Sequence, residues 1–290
     1  MEATMIKVRI CAFADEASPD LMGQIAALKE EGISLIELRG VNGRGVAELT
    51  EEEARAVRRR LDENAVSVWA LGSPIGKIAV GDDFQAHLAQ AEHLFRLAAI
   101  LGTERVRIFS FYTSAPERDE ETVFARLDRL AELAASYRVK LYHENEKAIY
   151  GDTAERCVRL LNAVPGLGCV YDPANFVQSG EDIDKAHRLL FDRADYFHIK
   201  DARCRDGAVL PAGEGDGGLR RLIGSLARDT VLTLEPHLAV FAGYERLDRT
   251  ELRGSFVYPS QRAAFAAAAE ALRVLLRENA FREVNGTWIK

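Results

Sequence analysis

The chain predicts an α/β fold, a closed (β/α)8 TIM barrel over residues 1–290 as a single domain, and three observations predict it. Short apolar runs rich in Val, Ile, Leu and aromatics recur eight times, each followed by a longer amphipathic stretch, which is the signature of βα units building a parallel sheet. The first run is followed by FADEASPD, with no Gly-rich dinucleotide fingerprint, so an open doubly wound sheet fits less well than a closed barrel. No linker, low-complexity segment or close repeat interrupts the series.

The strand runs are, in order, VRICAF, SLIELR, VSVWALG, RVRIFSF, VKLYHEN, LGCVYD, YFHIK and TVLTLEP. The helix after the first, DLMGQIAALKEEG, is closed by Gly32. The helix after the second, TEEEARAVRRRLDEN, opens with Thr50 and with Glu53 three residues on, a capping box. The alanine-rich run SQRAAFAAAAEALRVLLREN is the last helix.

Apolar residues at 48% and charged residues at 29% are ordinary values for a chain with a sizeable core. A net charge of −7 argues against nucleic acid as a partner, because phosphate binding needs a basic surface. Cys11, Cys157, Cys169 and Cys204 form no CxxC pair, and no signal peptide or membrane-length apolar run is present. A cytoplasmic protein with free thiols and no membrane contact is the expectation, with Cys11 and Cys169 as small buried hydrophobes in strands.

In a barrel of this kind the active site lies at the C-terminal ends of the strands. That filter returns Glu144, Asp172, His198 and Glu235 from strands five to eight, one per βα unit. One such acid is commonly a helix cap or an ion-pair partner, and a lone histidine is commonly satisfied by a hydrogen bond. Three carboxylates at one mouth would repel and raise one another's pKa values unless a cation sat among them. Three oxygen donors and one imidazole suit one divalent ion, Mn²⁺ first, with Mg²⁺, Co²⁺ or Zn²⁺ as alternatives.

Strand-end Glu, then Asp, then His-x-Lys-Asp, then Glu, together with PAGEGD at Pro211 to Asp216, resembles the xylose isomerase-like TIM-barrel superfamily of sugar isomerases and epimerases. The likeness spans nearly the whole chain. It implies that Glu144, Asp172, His198 and Glu235 bind one metal ion, and that Glu144 and Glu235 are also the catalytic acid/base pair. The group includes ketose 3-epimerases, hydroxypyruvate isomerase, inosose isomerases and dehydratases, and AP endonucleases. Asn175 stands where many members carry a substrate-contacting histidine three residues after the strand-six aspartate. The extra histidines of a three-zinc endonuclease are not supplied by His87, His93 and His187, which fall in helical stretches.

A metal that chelates a carbonyl and its neighbouring hydroxyl acidifies the adjacent C–H, giving an enediolate that leads to isomerisation, epimerisation or, with loss of hydroxide, dehydration. The expected activity is a metal-dependent isomerase or 3-epimerase acting on a ketose, aldose or polyol-derived ketone. The alternatives are a lyase, of inosose-dehydratase or keto-glycoside-eliminating type, and a catalytically idle sugar-binding barrel.

Candidates for holding a small-molecule sugar or polyol are Lys200, two residues after His198 on the same strand face, and Asn175. His237 and Glu146 each stand two residues past a proposed ligand, and Glu37 and Arg39 share a face where substrate contact and a structural ion pair are both open. Lys77 closes GSPIGK, a turn that lacks Walker spacing, while Arg203 and Arg205 follow strand seven. Trp69, Phe111 and Tyr112 could wall a sugar ring or fill the barrel, and His143 should point away from the interior. A homo-oligomer associating through barrel loops is a further expectation.

Overall fold

The computed structural model describes residues 5–240 and 258–290. Eight parallel strands close on themselves: β1 (Lys7–Ala12), β2 (Leu35–Leu38), β5 (Ser67–Gly72), β6 (Arg105–Ile108), β7 (Lys140–Glu144), β8 (Gly168–Tyr171), β9 (Tyr196–Ile199) and β12 (Thr230–Leu234). The ring shuts where β1 pairs with β12 in parallel, from Val8 opposite Thr230 to Ala12 opposite Leu234. Closure leaves no edge among these strands, so both faces are covered and each reads as a nearly continuous apolar run.

The predicted helices form where their caps lie. Helix α1 (Leu21–Glu30) starts at Asp20, whose carboxylate accepts from the Gly23 amide, and Gly32 follows it at φ +59°. Helix α2 (Glu51–Glu63) opens on the reciprocal Thr50 and Glu53 bonds of a capping box. The alanine-rich helix (Gln261–Glu278) starts at Ser260 and lays Phe265, Leu272 and Leu276 into the main core.

Two small hairpins stand at the mouth: β3 (Gly40–Val41) with β4 (Arg44–Gly45), and β10 (Asp201–Ala202) with β11 (Val209–Leu210). Beyond the barrel, β13 (Arg282–Val284) and β14 (Thr287–Ile289) form a terminal hairpin whose β14 lies antiparallel to the start of β1. Its turn is Asn285-Gly286, both at positive φ, the pattern a two-residue hairpin requires.

Inside the ring the side chains fall into two levels. Cys11, Leu35, Trp69, Tyr142, Val170, Tyr196 and Val231, one from each of seven strands, form an apolar floor. Above it, toward the strand C-termini, the interior becomes ionic. The junction is Tyr196, whose ring packs among the floor residues while its hydroxyl donates to Glu37 at 3.1 Å. Among the described residues no helix is long and apolar enough to cross a membrane.

Candidate metal centre

Glu144 ends β7, Asp172 and Glu235 directly follow β8 and β12, and His198 lies within β9. These four buried residues each offer a ligand atom, and the atoms lie within 4.8 Å of one another. Nδ1 of His198 faces Glu144 Oε1 at 3.0 Å and Glu235 Oε2 at 3.3 Å. Its Nε2 faces Glu37 Oε2 at 3.2 Å. A proton on Nε2, donated to Glu37, leaves the Nδ1 lone pair directed at the carboxylates, the carboxylate–histidine arrangement that fixes a metal-binding tautomer.

Each glutamate of the set has a second oxygen held by a buried arginine. Arg107 Nε lies 3.0 Å from Glu144 Oε2, and Arg39 Nη1 lies 2.9 Å from Glu235 Oε1. Asp172 caps the short helix that follows it with one oxygen, accepting from the Asn175 amide at 2.9 Å. Its other oxygen, Oδ2, lies 3.0 Å from the Lys200 ammonium and has no hydrogen bond among the described residues. Lys200 also lies 3.3 Å from Glu235 Oε2. Asn175 donates to Glu144 Oε1 and to the Asn145 carbonyl, and its own Oδ1 is buried without a partner.

A second cluster shares Glu235. Arg39 reaches Asp15 with Nε at 2.9 Å and Glu16 with Nη2 at 3.1 Å, and Nε2 of His237 stands 3.4 Å from Glu16 Oε1 and 3.6 Å from Glu235 Oε1. The His237 amide donates to Glu16 Oε2 at 2.7 Å, with His237 itself at φ +46°.

The described residues at this level thus include six buried carboxylates, Asp15, Glu16, Glu37, Glu144, Asp172 and Glu235, against three permanent cations, Arg39, Arg107 and Lys200. Without a metal the imbalance is met by protons. Burial raises Asp172 to about 7 despite Lys200, with Glu235 and Glu144 adding to the rise. Burial likewise raises Glu16 to about 8 against the pull of Arg39. Burial opposes a charge on His198, yet Glu144 and Glu37 outweigh it and hold the imidazole well above its usual range. Glu235 is the exception: burial would raise it, but Lys200 and His198 keep it well below the ordinary carboxylate range. Burial holds His237 well below its usual range. Buried oxygens in excess of cations, with one imidazole nitrogen among them, fit a single hard or borderline divalent ion.

Of the other sequence candidates, Lys200, Asn175, His237, Glu37 and Arg39 lie in or against this cluster. Glu37 and Arg39 are held by protein partners, which favours the ion-pair reading of both over substrate contact. Lys77 pairs with Glu146 at 3.1 Å, and its ammonium lies 4.4 Å from the Phe109 ring centroid. Of the two readings left open for Trp69, the floor position favours barrel filling over a sugar wall: its ring packs on Tyr196 and under Arg105. Phe111 packs behind the sheet against Phe84 and His87. Tyr112 is occupied in backbone bridges to Ala79 and Ile149. Arg203 and Arg205 pair with Asp206 on the β10–β11 loop, away from the cluster. His143 points outward, bonded to Ser110 at 2.9 Å, and burial lowers it to about 3. Asp201 organises the Gly-rich loop, accepting from the amides of Gly213, Gly215 and Gly217. Cys11, Cys157 and Cys169 are buried free thiols, Cys11 within the floor, while Cys204 is exposed.

Asp15, Glu16, Arg107 and Asn145 are the members that sequence reasoning passed over. Asn145 exchanges two hydrogen bonds with the Asp172 backbone and so ties the ends of β7 and β8 together.

A family model described as xylose isomerase-like TIM barrel matches residues 25–253. No curated protein sequence matches the chain. Among solved structures, the IOLI protein with a bound zinc atom is 15% identical, with a TM-score of 0.71 over 93% of this chain and 99% of its own. L-ribulose 3-epimerase is 17% identical, with a TM-score of 0.69 over 95% and 96%. The probable 3-DHS dehydratase AsbF of Bacillus anthracis is 16% identical, with a TM-score of 0.65 over 91% and 98%. At these identities the structural likeness is one of fold.

Proposed function

This chain belongs to the xylose isomerase-like TIM barrel family, and from that premise we propose that it is a metal-dependent sugar isomerase or 3-epimerase acting on a ketose, aldose or polyol-derived ketone. The solved relatives include an epimerase, a dehydratase and a zinc-bearing protein, so the family's reactions bracket this reading. Glu144, Asp172, His198 and Glu235 would hold one divalent ion, Mn²⁺ in the first instance. Such an ion, when bound, polarises a substrate carbonyl and acidifies the C–H beside it.

The observation that carries the proposal is the matched setting of Glu144 and Glu235. Each has one oxygen facing His198 Nδ1 and the other against a buried arginine, Arg107 or Arg39. Two carboxylates equivalently placed at one cluster suit removal of a proton from one side of a planar intermediate and its return from the other. The Lys200 ammonium would donate to a hydroxyl or oxyanion of the substrate, and Asn175 Oδ1, without a partner among the described residues, would accept from a substrate hydroxyl. Glu37 and Arg39 act as the supports of His198 and Glu235.

One observation favours a lyase as the second reading. Glu16, raised to about 8, carries a proton at neutral pH beside Glu235 and could give it to a departing hydroxyl. The test is a screen of ketoses and inososes in heavy water with added Mn²⁺, read by deuterium at carbon and by product mass. Exchange with conserved mass is expected. Loss of 18 mass units, roughly one water, replaces the isomerase with the lyase. Sugar binding without any exchange would leave only an idle barrel.

A further inference from the structure

A cleft of about 250 Å³ opens beside the acidic cluster, between the β3–β4 hairpin and the turn after β5. It adjoins the proposed centre directly. Arg39 lines it and also grips Glu235. A Cβ built on Gly72, another lining residue, would meet Phe13 and Arg107, and the Phe13 ring lies 5.2 Å from that of His198.

Two features define what the cleft suits. The first is size and surface: its walls include Val46, Ala47, Pro74 and Phe109, with bare glycine backbone between them. Ligand pockets commonly run to about 300–1,000 Å³, so this volume suits one ring rather than a whole ligand. The second is charge. Three cations line the cleft, and each already faces a carboxylate: Arg39 with Asp15 and Glu235, Arg44 with Glu53, Lys77 with Glu146. A phosphate entering there would meet Asp15 and Glu48 in the lining beside cations that carboxylates already neutralise, whereas an uncharged ring meets no such repulsion and buries apolar surface.

We propose that this cleft receives an uncharged ring linked to the reacting sugar, so that the substrate is a ketose-terminated glycoside rather than a free or phosphorylated monosaccharide. This rests on the isomerase reading for what happens at the centre, but the cleft is testable apart from it. The Mn²⁺-loaded protein is titrated by calorimetry with fructose, fructose 6-phosphate and three fructose-terminated disaccharides, lactulose, turanose and isomaltulose. The same probes are incubated in heavy water.

The expected result is that at least one disaccharide binds about tenfold or more tighter than fructose, from the apolar area the second ring covers, and that the phosphate gains nothing over fructose. Gly45→Leu should then cut the disaccharide-to-fructose affinity ratio. Gly45 lines the cleft at φ −66°, and only Glu48 Oε1, at 3.3 Å, crowds a Cβ there. Ala47→Leu serves as the second filling variant, and Mn²⁺ binding to each variant reports its folding. Disaccharides that bind no tighter than fructose, tighter binding of the phosphate, or a ratio unmoved in both folded variants overturns the proposal. Deuterium exchange on fructose without the ratio sinks the cleft alone, while the ratio without exchange on any probe sinks the isomerase and keeps the cleft.

Discussion

Glu235 stands between two clusters that settle their charge in different ways. On its Oε1 side are Asp15, Glu16 and His237, organised by the fork of Arg39, which meets three carboxylates at once. On its Oε2 side are His198, Glu144 and Asp172, where Arg107 holds the far oxygen of Glu144 and Lys200 spans Asp172 and Glu235. The first cluster is tied throughout by one planar, permanently charged group with several fixed bonds, whereas the Asp172 end of the second is left to a flexible point charge without hydrogen-bond geometry. The difference teaches which one is built for a removable ion: a cluster whose carboxylates are all gripped by one arginine is a support, and one whose Asp172 Oδ2 is left without a hydrogen bond among the described residues is a receptor.

Changing Glu235 touches both clusters and should have the largest effect. Glu235→Gln keeps the size of the side chain but removes a proton-transfer group and a charged ligand. Turnover on any substrate found should fall by about 10²–10⁴-fold or more, while circular dichroism stays that of the parent. Turnover within a few-fold of the parent would break the matched-pair mechanism.

Arg39→Met separates the clusters next. It leaves Asp15 and Glu235 buried without the guanidinium that meets both, and losing one partner of a buried ion pair costs about 3–5 kcal/mol. The loss should appear in urea unfolding with or without Mn²⁺, because the support does not depend on the ion. A variant as stable as the parent would mean that Arg39 is not what holds Asp15 and Glu235 in place.

Glu37→Gln sharpens the comparison from the other side. Glu37 accepts from Tyr196 and faces Nε2 of His198, so its amide would still fill the space but no longer fix the imidazole's proton. Loss of such a supporting carboxylate weakens metal binding by about 10–100-fold. Calorimetric titration with Mn²⁺ should show that drop, with metal-free stability changing much less. Unaltered affinity would place the control of His198 elsewhere.

Much of this was legible in the chain, for a physical reason. Eight strands feeding one closed sheet must alternate with helices, and the period of the apolar runs carries that alternation even through short elements such as β8 and β9. The four proposed ligands could be read because each ends or follows a strand run. Their supports could not. Asp15 and Glu16 lie in a turn where acids are ordinary helix-cap residues. Arg107, in the alternating RVRIF run, reads like an outward-facing strand residue, yet the interior of this ring is polar above the floor. Trp69 is a different case: an aromatic in a strand run does not reveal which level of the barrel it occupies, and it belongs to the floor. The terminal hairpin did carry a signal, Asn285-Gly286 between two short β-favouring runs.

The smallest effect is the most diagnostic, because pH acts on the clusters at separate points. Asp172 and Glu16 both have folded-state values raised above those of the unfolded chain, to about 7 and about 8. A raised carboxyl contributes stability that is full below its unfolded value, near 4, and is lost as pH rises through the folded one. The metal-free protein should therefore lose stability from about pH 4 upward, with the Asp172 part complete near pH 7 and the Glu16 part near pH 8. Mn²⁺ requires Asp172 ionised and His198 neutral, so its affinity should rise with pH by about tenfold per unit for each proton that must leave, and go on rising above pH 7 because His198 is held well above its usual range. Saturating Mn²⁺ should cancel the parts of the decline that belong to the ligands Asp172 and His198 and leave the part, complete near pH 8, that belongs to Glu16. Chemical unfolding at intervals across that range, with and without Mn²⁺, separates the two. A metal that erased the whole decline would mean that Glu16 also serves the ion, and the division between support and receptor would fail.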